Sequence, residues 1–166
     1  EQCIRDLRIS QIYEGTNGIQ SQDLIGRKTI KCEGAYLKAY IDEIRDFANQ
    51  MDAELNFIKD ATLDAATELE SVTQFILEAA QENPNFANAV AVDYLHALGL
   101  LSFSYMFARI AEAAQDKSTP FYQAKINLAI YFVQRVLPEL PMRISKIKAG
   151  ADVIMRFSPE YFTQQA

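Results

Sequence analysis

The chain has 166 residues, 49% of them hydrophobic and 23% charged, with 16 Lys and Arg against 22 Asp and Glu for a formal net charge of −6. That is enough chain for one well-filled core, and an acidic balance with no basic run longer than Arg27-Lys28 argues against a nucleic-acid partner. Cys3 and Cys32 have no metal-ligand spacing and are too few for a disulfide framework, so they read as free thiols of a reducing compartment. The first residues lack a signal-peptide core, and the longest uncharged stretch, Tyr94 to Ala108, falls short of the ~20 residues a spanning helix needs. A cytoplasmic protein with no transmembrane segment is the expectation.

Gly15, Gly18, Gly26 and Gly34 crowd the start of the chain, which predicts a loop from Glu14 to Gly18, a short helix from Ile19 to Ile30 and a turn at Cys32 to Gly34. From Ala35 to Asn83 there is neither Gly nor Pro, so helix is expected almost throughout. Leu37, Tyr40, Ile41, Ile44, Phe47, Ala48 and Met51 share one face of a first helix, which ends at Gln50 to Asp52 or at Lys59-Asp60. A second helix runs to about Gln81 with the seam Leu55, Ile58, Thr62, Ala65, Leu69, Val72, Ile76 and Ala79, spaced by threes and fours as in coiled-coil packing. Asn83-Pro84-Asn85 breaks it.

The helix from Phe86 to Ala114 is apolar nearly all round between Tyr94 and Ala108, which predicts the central, most buried member of a bundle. Ser118-Thr119-Pro120 starts the next helix, which carries Phe121, Ile126, Ala129, Ile130, Val133 and Leu137 and stops at Pro138. A shorter helix reaches Lys148, Gly150 ends it, and Phe157 to Ala166 reads as a loosely attached tail. No alternating β-branched run predicts a strand. The fold class is all-α, an antiparallel bundle of four to six helices joined by short loops.

Few residues carry chemistry. Glu14 follows the apolar Ile9, Ile12 and Tyr13 and precedes Gly15, which lets a ligand approach the backbone closely. A carboxylate in such an apolar setting becomes a stronger base once ionised, although a carboxylate capping a helix start is the plainer reading of the tripeptide. Thr16 and Asn17 can cap the next helix or hold a ligand's phosphates at its N-terminus. The single histidine, His96, sits on the apolar helix three residues after Asp93, an arrangement more often structural than catalytic. Phe103, Tyr105 and Phe107 read as core or interface, and the charges from Asp52 to Glu82 as a solvated helix face. One histidine cannot build a His-and-carboxylate metal cluster, so no metal site is expected.

Three blocks in order, Ile4-Arg5-Asp6-Leu7-Arg8-Ile9, Ile12-Tyr13-Glu14-Gly15-Thr16-Asn17-Gly18-Ile19-Gln20 and Asp23-Leu24-Ile25-Gly26-Arg27-Lys28, resemble the acyl-CoA dehydrogenase family. The remainder is similar, by position and helical character, to the helical C-terminal extension of its larger bacterial members. The resemblance implies that Glu14 removes the α-proton of an acyl-CoA thioester while a hydride leaves the β-carbon for FAD. An electron-transfer flavoprotein then reoxidises the flavin. It also implies substrate contacts for Tyr13 and Gly15 and flavin contacts for Thr16, Asn17 and Gly18. Many relatives have Glu or Gln where Gly18 stands here, so its contact is through backbone alone.

The family's N-terminal helical and middle β domains have no counterpart in these residues. The expectation is therefore a C-terminal piece of a larger flavoenzyme, without FAD or activity by itself. Residues 1–31 would be the tail of the catalytic domain and 32–166 an appended bundle, with homodimer or higher assembly. The rival is a non-enzymatic helical interaction module.

Overall fold

The computed structural model describes residues 1–12 and 16–163, and these form helices and turns with no strand among them. A short α1 (Gln2–Leu7) runs into a 3₁₀ turn (Arg8–Gln11). After residues 13–15, α2 (Asn17–Gln22) continues without a break into a π-helical stretch (Asp23–Ile30). The bundle proper is α3 (Ala35–Ala48), α4 (Asn56–Glu82), α5 (Phe86–Ala114), α6 (Pro120–Arg135) and α7 (Glu139–Ala149). A last turn of helix, α8 (Asp152–Met155), and a 3₁₀ turn (Pro159–Phe162) close the described chain.

The predicted seam of α4 is the buried one as far as Ile76: Leu55, Ile58, Thr62, Ala65, Leu69, Val72 and Ile76 are each at most 5% exposed, while its last member, Ala79, is half-buried. Contacts fix the directions. Arg45 pairs with Glu70 at 2.7 Å while Gly34 lies against Leu77, so α3 and α4 are antiparallel. Thr62 meets Ser104 and Thr73 meets Tyr94, so numbers rise along α4 as they fall along α5. Phe132 of α6 stacks near Phe103 and Phe107, and Arg143 of α7 binds Asp93. α6 and α7 are therefore one rod, broken at Pro138, laid antiparallel beside α5. α4 and α5 form the middle, with α3 on one side and the α6–α7 rod on the other.

Two polar rungs cross the α4–α5 interface, and their donors can be assigned. Thr62 Oγ1 gives its hydrogen to the Ile58 carbonyl at 2.8 Å, so Ser104 donates to Thr62 at 2.8 Å. Thr73 Oγ1 gives its hydrogen to the Leu69 carbonyl at 2.7 Å, so the Tyr94 phenol donates to Thr73 at 3.0 Å. Both rungs leave no buried hydroxyl wanting a partner.

The chain breaks where expected. Asn83 Oδ1 accepts the Asn85 N–H at 2.9 Å, and Gly150 closes α7 with φ +67. An added Cβ at Gly150 would come within 3.1 Å of the Phe86 ring, so both conformation and space call for glycine there. The α3–α4 break falls at the earlier of the two positions, with Asp52 capping a 3₁₀ turn by accepting the Glu54 N–H at 2.8 Å.

Two expectations need correction. The helix after the motif is α-helical only to Gln22: the Lys31 N–H reaches the Gly26 carbonyl and the Gly34 N–H the Thr29 carbonyl, five residues back in each case. α5 is central but not buried all round, since Val92, Phe103, Met106 and Ile110 lie 39–61% exposed. By length and composition alone α5 could cross a bilayer, but its other face packs against α4, α6 and α7 and accounts for that apolarity. Phe121, at the start of α6, is 63% exposed. Of the C-terminal tail, Phe157, Tyr161 and Phe162 are exposed.

Candidate functional site

Tyr13, Glu14 and Gly15 lie outside the described residues, so the site is built from Thr16 onward. Thr16 occupies the N-cap position of α2 with φ −111 and ψ −7, and its carbonyl accepts the Gln20 N–H at 2.8 Å. Its hydroxyl forms no capping bond, against the expectation for a threonine there. The Gly18 carbonyl accepts the Ser21 hydroxyl at 2.7 Å, and nothing lies within 4 Å of where a Gly18 Cβ would stand. The backbone at Gly18 is open to close approach.

α2 is clamped to the bundle from below. Ser21 and Ile25, one turn apart, are each 1% exposed, and Ile25 belongs to the main core with Leu37, Leu69 and Leu101. In the π-helical stretch the Thr29 hydroxyl donates to the Leu24 carbonyl at 2.9 Å and lies 3.5 Å from the Tyr94 phenol. Burial, the largest influence on it, raises the pKa of Tyr94 above the ordinary tyrosine value. A neutral hydroxyl cluster thus anchors the segment that carries the motif.

Clamping places Asn17 over α5. Asn17 lines a groove of about 320 Å³ together with Leu95, His96, Gly99, Leu100 and Phe103 of α5 and Glu139 and Arg143 of α7. This juxtaposition was invisible in the sequence, where Asn17 and His96 stand about 80 residues apart. Asp93, the acid considered as a partner for His96, is instead held by Arg143 at 2.8 Å, with both side chains about three-quarters buried or more. His96 is left exposed at the groove's edge. The Arg143 Nε is buried without a hydrogen-bond partner among the described residues.

Other concavities hold less chemistry. A concavity of about 530 Å³ between α4 and α7 is lined by Thr67, Ser71, Val72 and Ile144, away from Asn17. Among the described residues no three His, Cys, Asp or Glu side chains gather into a cation site. Cys3 is exposed and Cys32 half-buried, and neither is in a disulfide.

The described residues define an antiparallel all-α bundle with the helix that follows Gly15 in sequence clamped to its flank. Comparison with known proteins gives the class a family. The family described as acetyl-CoA dehydrogenase C-terminal like matches residues 40–158, and the chain belongs to it. A 3-methylmercaptopropionyl-CoA dehydrogenase of Ruegeria pomeroyi is 31% identical over 165 residues, covering 95% of this chain and 28% of the relative. A broad-specificity linear acyl-CoA dehydrogenase of Mycobacterium tuberculosis is 28% identical over 178 residues, covering 98% of this chain and 29% of its own length. A butyryl-CoA dehydrogenase of Syntrophomonas wolfei is 29% identical over 147 residues, covering 81% and 24%. The chain thus spans 24–29% of the length of these relatives. The family match rests on the bundle, the part whose resemblance was carried by position and helical character.

Proposed function

We propose that these residues are the C-terminal part of an FAD-dependent acyl-CoA dehydrogenase, which converts an acyl-CoA thioester to a trans-2-enoyl-CoA in fatty-acid β-oxidation. The observation that carries this reading is the Ile12 to Gln20 motif standing directly before a helix clamped onto the family-matching bundle. Residues 1–31 complete the catalytic domain and 32–166 form the appended bundle, with Ile25 bridging the two through a shared core.

Glu14 is the base that takes the α-proton of the thioester, and one carboxylate suffices because the cofactor does the rest. FAD, when bound, supplies the acceptor for the hydride from the β-carbon. Gly15 lies against the thioester and Tyr13 lines the acyl pocket. Thr16, Asn17 and Gly18 touch the flavin, and the open backbone at Gly18, the uncapped Thr16 hydroxyl and the Asn17 groove suit one wall of a dinucleotide site. At about 320 Å³ the groove receives only part of such a ligand. The 166 residues alone are therefore expected to hold no flavin and to be inactive. An electron-transfer flavoprotein reoxidises the enzyme, which works in the cytoplasm as a homodimer or higher assembly.

In the full-length enzyme, Glu14→Gln is expected to lower turnover by roughly 10²–10⁴-fold while flavin content stays at the wild-type level. Near-normal turnover would remove Glu14 from the chemistry. The yellow absorption of a bound flavin in the purified 166-residue chain would contradict the assignment of its site to shared domains.

A further inference from the structure

Two concavities flank the π-helical stretch, and neither shares a residue with the Asn17 groove. The inner one, about 210 Å³, has walls of Leu24, Leu37, Tyr40, Tyr94 and Leu98. The outer one, about 510 Å³, is bounded by Arg27, Lys31 and Cys32. Lys28 and Tyr36 line both, so the two are continuous, an apolar recess behind a cationic mouth. We propose that they form a binding site for a small carboxylic acid with an apolar body, its carboxylate at the mouth and its hydrocarbon in the recess. The site is separate from the flavin groove and depends on nothing in the acyl-CoA dehydrogenase reading.

The recess favours hydrocarbon. Leu37 and Tyr94 are 8% and 1% exposed, and Tyr40 is set edge-on against Tyr105 with ring centroids 6.0 Å apart. Its two buried hydroxyls have already spent their hydrogens. Thr29 donates to the Leu24 carbonyl at 2.9 Å and Tyr94 to Thr73 at 3.0 Å, so the floor offers no free donor to a polar ligand atom. Size narrows the ligand further. An apolar cavity of ~150 Å³ holds benzene, so a recess of about 210 Å³ takes a ring or a short alkyl chain and is too small for a dinucleotide. The π-helical turns shape this space. Helical turns that close five residues back recur at functional sites, and here Leu24, Lys28 and Thr29 of that stretch all line the recess.

The mouth selects an anion. Three cations gather there on a chain of net charge −6. Asp23 meets Arg27 at 2.8 Å and Lys28 at 3.3 Å, while Lys31 has no ion pair among the described residues, so positive charge is in excess. Arg27 and Lys28 keep 76% and 56% of their side chains in solvent. A carboxylate seated among them keeps its hydration while the chain behind it is buried, which avoids the cost of burying an unpaired charge. An inorganic anion would gain the mouth alone.

Titration calorimetry of the 166-residue chain with hexanoate, combined with amide chemical-shift mapping, tests the site. Hexanoate is expected to bind roughly tenfold more tightly than butyrate, since each buried methylene contributes about fourfold at most. Shifts should centre on Lys28, Tyr36, Tyr40 and Leu98. Lys28→Gln with Lys31→Gln should weaken hexanoate by about fivefold or more, and both residues are exposed, so helical circular dichroism should be unchanged. No binding of hexanoate up to about 10 mM overturns the proposal. So does inorganic phosphate binding as tightly as hexanoate, an affinity indifferent to chain length or to the double substitution, or a shift map centred on Asn17 and Arg143.

Discussion

Residues 1–12 and the bundle are built from the same kinds of side chain, and those side chains end in opposite environments. Ile4, Leu7, Ile9 and Ile12 are 71%, 66%, 57% and 79% exposed, while Ile41, Ile44, Leu69, Ile76 and Leu101 are 0% exposed. No residue of α1 is buried, and besides its backbone it has i,i+4 side-chain bonds of the Gln2–Asp6 and Arg5–Glu1 kind. A six-residue helix held by such contacts is well below the length at which isolated helices persist in water. α2 lies between the extremes, with Ile19 at 66% exposed and Ser21 at 1%. Burial, not apolar composition, distinguishes the scaffold from the segment that precedes the Glu14 motif. The motif sits at the junction.

The strongest way to break that comparison is to truncate matching side chains on both sides of it. Leu101→Ala, in the middle of α5 and in contact with the main core, is expected to cost about 2–5 kcal/mol in urea unfolding. The same measurement on residues 1–12 should show almost nothing. A loss below about 1 kcal/mol at Leu101 would mean that α5 is not the packed centre of the bundle.

How much of this was legible depended on whether a helix had one buried face. The α4 seam from Leu55 to Ile76 could be read because its polar residues mark the other face, leaving one phase for burial. α5 offered no such phase: with Val92, Phe103, Met106 and Ile110 as apolar as Leu101, nothing local separated the core side from the outward stripe. The π-helical turns were hidden too, because they are held by hydroxyl and amide bonds such as Thr29 to Leu24 that no periodicity announces. At the site, the Glu14 motif was legible as a string of neighbours, whereas its setting was not. Asn17 comes to line one groove with His96, and Asp93 meets Arg143, only through tertiary packing.

A smaller effect tests whether the bundle is as tightly specified at its end as at its centre. Gly150 holds φ +67 and ψ −157 against the Phe86 ring. Gly150→Ala should cost about 1–3 kcal/mol, combining backbone strain with a displaced ring. A neutral outcome would show that the α7 terminus relaxes freely, which would place it with residues 1–12.

Tyr94→Phe sharpens the comparison at the junction itself, because Tyr94 bridges α4 and the π-helical stretch after the motif. Thr29 and Thr73 keep their own bonds to the Leu24 and Leu69 carbonyls, so the loss should be about 0.5–1.5 kcal/mol. The sign of its pH dependence comes from burial, which raises the folded-state pKa of Tyr94 above the ordinary value near 10. That contribution is fully present below about pH 10 and is lost as pH rises through the folded pKa, because the unfolded phenol ionises first. Tyr105 shares this behaviour, through burial and then its bond to Glu43. Tyr94→Phe should therefore remove part of the alkaline destabilisation, read as a smaller fall in urea midpoint above about pH 10. An unchanged alkaline profile would mean that Tyr94 is not shielded by the junction.

The smallest expected effect is at Ile9, and it is informative because it is small. Ile9 is 57% exposed beside Ser10, whose hydroxyl already bonds the Leu7 carbonyl at 2.6 Å. Ile9→Ser removes apolar surface that folding of the 166-residue chain leaves in water, so its unfolding free energy should move by no more than about 0.5 kcal/mol. In the full-length enzyme proposed above, a neighbouring domain would cover the same side chain, so there the cost should approach that of a buried aliphatic residue, about 2 kcal/mol or more. Equal, negligible losses in both contexts would mean that the exposed isoleucines before Glu14 pack against nothing, and the motif would then lack the apolar setting that makes its carboxylate a base.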